Sequence, residues 1–109
     1  MDTSLYSPYA NDPTALIVQS FVQRVLAQPT TETAMNLNAV LLGLHNGIDY
    51  PVDLQRLCCM AEADFEDAMR LLRHFHAEQT EPHVYFRNGR EVFDRLKGPS
   101  LPALPRAHA

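Results

Sequence analysis

The sequence predicts an all-α protein, a small orthogonal bundle of four to five helices with a disordered C-terminal tail. Three observations carry this expectation. The stretch Phe65–His76, FEDAMRLLRHFH, has no Gly or Pro, and Phe65, Ala68, Met69, Leu72, Phe75 and His76 recur at three- and four-residue steps. That spacing lines one side of an α-helix. Two earlier segments, 13–28 and 31–45, repeat the same period between Pro and Gly breaks. No segment of useful length alternates with the two-residue period of a strand.

Composition sets the scale. A chain of 109 residues with 46% hydrophobic content is one domain, and such a chain buries roughly two-thirds of the surface its unfolded form exposes. The division expected is a flexible arm at 1–11, a helical domain at 12–97 and a Pro-rich tail at 98–109. The first thirteen residues, MDTSLYSPYANDP, hold no positive cluster and no apolar run, so no signal peptide is expected and a cytoplasmic location follows. No apolar run approaches the ~20 residues that span a bilayer.

The elements follow in order. Asp12-Pro13 opens the first helix, with Asp as N-cap and Pro at the first helical position, where its missing N–H would have no partner anyway. Ile17, Val18, Phe21, Val22 and Val25 form its stripe, and Pro29 ends it. The second helix starts at Thr30 or Thr31. Ala34, Leu37, Leu41 and Leu44 form its main stripe, widened by Met35, Val40 and Leu42, so it should sit at the centre. Asn46-Gly47 should supply a left-handed stop. A short third helix is expected from Pro51 to about Cys59, with Leu54, Leu57 and Cys58 inward. The fourth helix is the Phe65–His76 segment, acidic at its start and basic toward its end, which complements the helix macrodipole. After a turn through His83–Phe86, a last helix from Glu91 to Lys97 buries Val92, Phe93 and Leu96.

Charge is unevenly placed. Residues 1–69 hold two basic residues against nine acidic ones, whereas 70–109 hold seven basic against four acidic. The acidic face of Asp49, Asp53, Glu62, Asp64, Glu66 and Asp67 is the one grouping whose size and sign would matter to a partner. The segment 51–76 has the outline of a helix-turn-helix. A recognition helix, however, approaches phosphates by its N-terminal residues, and here that end carries carboxylates. The alternative nucleic-acid contact is the basic group Arg87, Arg90, Arg95 and Lys97, diluted by Glu91 and Asp94.

Catalytic and metal chemistry have little support in the sequence. Cys58, Cys59, His74, His76 and His83 are wrongly spaced for a zinc site, since adjacent cysteines diverge and His74 and His76 point ~200° apart on a helix. No metal, cofactor or catalytic residue is expected, and both cysteines are read as thiols, Cys58 in the core. There is no phosphate-binding Gly loop and no nucleophile elbow.

The blocks LLGLHNG (Leu41–Gly47), DLQRL (Asp53–Leu57), DFEDAMRLLR (Asp64–Arg73) and EPHVYF (Glu81–Phe86) resemble a group of small uncharacterised bacterial proteins carried on plasmids and other mobile elements. The resemblance covers about half the chain and carries no functional residues over. It implies a bacterial, cytoplasmic, α-helical accessory or inhibitor protein. The expected function is therefore non-enzymatic: a protein–protein interaction or regulatory factor using the acidic face toward a protein partner, possible basic character included. A nucleic-acid-binding regulator is the alternative, and no membrane role is expected.

Overall fold

A computed structural model describes residues 2–98. The expected tail therefore lies outside the described residues from 99 onward. Among the described residues the protein is all-α: α1 Pro13–Ala27, α2 Glu32–His45, α3 Leu54–Cys58, α4 Glu62–Glu78 and α5 Gly89–Lys97. Short 3₁₀ turns at Ser7–Tyr9 and Pro82–Tyr85 complete it. Among the described residues no helix is long and apolar enough to cross a membrane.

The helix starts are set by local chemistry. The Asp12 carboxylate accepts from the backbone N–H of Thr14 and Ala15 at 2.8 and 3.0 Å. The Thr31 hydroxyl accepts from the Ala34 N–H at 3.1 Å. Each cap is worth about 1 kcal/mol.

The second helix is central, as its broad apolar surface predicts. Every residue from Asn36 to Leu42 is buried. Its most extensive partner is α1, and α3, α4, α5 and the second 3₁₀ turn also pack on it. Two asparagines share this interior. The Asn38 amide donates to the Leu96 carbonyl at 3.1 Å, and Asn36 accepts from Arg56 at 3.2 Å.

Several boundaries differ from expectation. The third helix is shorter and is capped by Asp53, whose carboxylate accepts from the Gln55 N–H. Leu54 is 72% exposed and Cys58 is exposed, so of the three residues expected inward only Leu57 packs on the core. Five residues present too little surface to bury a full stripe. The stripe of α4 is rotated: Asp64, Ala68, Leu71 and Phe75 are buried, while Leu72 and His76 face out. Neither Asn46, at φ −155°, nor Gly47 is left-handed, and the left-handed stop falls instead at Gln79, φ 55°, after α4.

The arm is also different. Residues 4–6 lie along 85–87, with Tyr6 N–H donating to Tyr85 O at 2.7 Å and Arg87 N–H to Ser4 O at 3.1 Å. Tyr9 packs edge-on against Tyr85 at 5.0 Å. The arm is thus tied to the domain by backbone pairing that no local pattern announces.

Candidate functional site

The six acidic residues expected to form one face do not share one fate. Asp64 is turned inward and grips Arg24 of α1 through two hydrogen bonds, at 2.8 and 2.9 Å. That guanidinium, together with its charge, holds the Asp64 carboxyl below the usual carboxylate range, against the opposing effect of burial. Asp49 is engaged locally by the Asn46 amide at 2.8 Å, and Asp53 caps α3. Asp67 lies 3.8 Å from Arg70, an i,i+3 pair whose cation is 73% exposed. Glu62 and Glu66 stand exposed one turn apart on α4, with no ion-pair partner among the described residues. Asp64 therefore leaves the proposed surface and becomes part of the α1–α4 packing. It was misassigned because a carboxylate is not counted in an apolar stripe, and its partner is 40 residues away.

The basic group does not form a single patch either. Arg87 and Arg90 line an open hollow of about 410 Å³ with Asn88, Glu91 and Asp94. Arg95 lines another hollow beside Thr3, Gln23 and Leu26, and Lys97 lies 3.8 Å from Asp94. Opposite charges are interleaved with the cations in both the first hollow and the last pair. Cys58 and Cys59 are both free and exposed.

A cluster that the sequence did not suggest closes at the corner where the C-terminal end of α2 meets the second 3₁₀ turn and α5. His45 comes from the last turn of α2, Glu81 from the residue before the 3₁₀ turn, and His83 from within that turn. Their ligand-type atoms all lie within 4.8 Å of one another. The Glu81 Oε1 is 3.6 Å from His45 Nδ1 and 3.7 Å from His83 Nδ1, too far for hydrogen bonds. Both Nδ1 atoms are buried and have no hydrogen-bond partner among the described residues.

The surroundings hold these rings in place. The His45 ring packs on Phe93 at 4.7 Å and edge-on to His83 at 5.2 Å. Burial, then the positive charge of Lys97, pushes the His45 imidazole below its usual range, while Glu81 and Asp94 act the other way. Gly89 starts α5 directly against the His83 backbone. A Cβ at Gly89 would come 2.0 Å from the His83 carbonyl oxygen, so only glycine allows this approach. From the sequence, His83 is weighed beside Cys58, Cys59, His74 and His76; the structure places it against His45 and Glu81 instead. His45 was missed because 36 residues separate it from Glu81 and no spacing rule links them. His74, by contrast, is engaged by the buried Tyr85 hydroxyl at 2.9 Å.

Residues 22–98 match the family of unknown function DUF7673, and the chain belongs to that family. No curated protein and no solved structure matches it.

Proposed function

We propose that this protein is a non-enzymatic binding factor that docks a basic partner through the segment from Asp49 to Asp67. The observation that carries this reading is that Glu62 and Glu66 remain exposed and unpaired among the described residues, while Asp64 between them is committed to Arg24. The unneutralised charge therefore stands on a helix end that the Asp64–Arg24 bond fixes in position. Asp49 and Asp53 add charge along the same segment, and their sequence neighbours Ile48 and Leu54 are 94% and 72% exposed. Carboxylates beside protruding apolar side chains suit a cationic, amphipathic partner, for which charge sets the approach and apolar contact the residence time. A role in the bacterial cytoplasm as an accessory or inhibitor protein of a mobile element belongs to this proposal. It is supported by the resemblance of the four sequence blocks named above.

The test is a salt-dependent pull-down with the full chain, comparing wild type with Glu62→Lys/Glu66→Lys and with Arg90→Glu. Loss of a salt-sensitive protein partner in the first variant alone supports the reading. Retention of every partner by Glu62→Lys/Glu66→Lys overturns it, as does a mobility shift of duplex DNA at low salt that Arg90→Glu abolishes. The latter outcome would favour the nucleic-acid alternative.

A further inference from the structure

We propose that His45, Glu81 and His83 form a binding site for a divalent cation of the zinc class, with one coordination position open to solvent. The donor set of two imidazoles and one carboxylate is borderline in softness and suits zinc and its neighbours rather than calcium or magnesium, which take oxygen ligands. The spacing also fits. Ligands about 2.0–2.2 Å from a tetrahedral ion lie about 3.3 Å from each other. The two carboxylate–imidazole separations, 3.6 and 3.7 Å, need to contract by only a few tenths of an ångström, while the two imidazole nitrogens lie within 4.8 Å of each other. In hydrogen-bond terms those same separations serve nothing.

The independent observation is the pair of buried, unpartnered Nδ1 atoms. A buried polar nitrogen without a partner costs free energy, and here two of them face one carboxylate oxygen. A cation between them would satisfy all three groups together. Nearby Lys97 opposes a second positive charge, but Asp94 lies 3.8 Å from its ammonium and offsets it in part. Glu81 and His83 side chains are 53% and 36% exposed, so the ion can enter, and water can occupy the fourth position. The bound ion would tie the end of α2 to the 3₁₀ turn and, through His45 against Phe93 and His83 against Gly89, to α5.

The experiment uses the full chain, stripped with a chelator and carrying Cys58→Ser/Cys59→Ser so that thiols cannot capture the metal. Zn²⁺ is titrated by calorimetry near pH 7, and Co²⁺ by visible absorption. The expected result is one ion per chain and tetrahedral Co²⁺ bands. Glu81→Gln and His83→Asn, at side chains 53% and 36% exposed and with far-UV dichroism that should match the parent, should each weaken binding by more than about tenfold, since even groups one step removed from a metal are worth 10–100-fold. Absence of stoichiometric binding to the thiol-free protein overturns the site. So does binding that both variants leave unchanged.

Discussion

The start of α4 and the corner at the end of α2 are both built around carboxylates, yet they arise in different ways. At the start of α4 the charge is local: Glu62, Asp64, Glu66 and Asp67 are neighbours in sequence, and the helix distributes them around its axis. At the corner, His45, Glu81 and His83 come from two distant segments, and packing alone brings them together. The first region shows that helical geometry separates what the sequence clusters, sending Asp64 to Arg24 and leaving Glu62 outside. The second shows that packing gathers what the sequence scatters. Charge counted along the chain is therefore a poor guide to charge counted in space.

The comparison can be broken from the corner side first. Phe93 is fully buried and stacks on His45, so Phe93→Ala should lower stability by about 3–5 kcal/mol in urea unfolding. A smaller loss would mean that α5 is not part of the shared core. Gly89→Ala should cost about 1–3 kcal/mol, because the new methyl meets the His83 carbonyl, and it should displace His83. A neutral result would remove the reason given for glycine at that position.

On the α4 side, Asp64→Asn should cost about 1–2 kcal/mol, a value kept modest because Arg24 is 43% exposed and its charge is partly screened. The sign with pH follows from the depressed carboxyl. The wild-type advantage is present above the unfolded Asp range, about 3.9, and is lost as pH falls through the lower folded value. Stability curves of the two proteins should therefore converge in acid, and parallel curves from pH 7 to pH 2 would show that the ion pair contributes nothing. Glu62→Lys/Glu66→Lys should cost less, under about 1 kcal/mol, mainly through the helix macrodipole. Cys58→Ser/Cys59→Ser should be smallest, within about 0.5 kcal/mol, since both thiols are exposed and exposed substitutions are generally mild. A large loss there would mean that the short α3 packs more tightly than its exposure suggests.

How much of this was legible depends on the distance over which each feature is decided. The Asp12 cap, a start of α2 at Thr30 or Thr31, the broad apolar surface of α2 and the apolar residues Val92, Phe93 and Leu96 of α5 were all readable, because each follows from neighbours within four residues. The stripe of α4 was readable only to within one position, since Leu71 and Leu72 are equally apolar and the choice falls to packing that buries Ala68, Leu71 and Phe75 and brings Asp64 to Arg24 on α1. Of the candidate cation cluster only His83 was singled out in the sequence, because His45 lies 36 positions before Glu81 and no local spacing links them.

The amino-acid order by itself determined where α1 and α2 begin and that the described residues would be all-α, because capping and the 3.6-residue period act within a turn or two. Tertiary structure alone decided which carboxylates stay in water, how the first residues pair with 85–87, and that two imidazoles should face Glu81. Those outcomes depend on which helix faces meet, and a face is chosen by the combined burial of the whole core rather than by any segment of it.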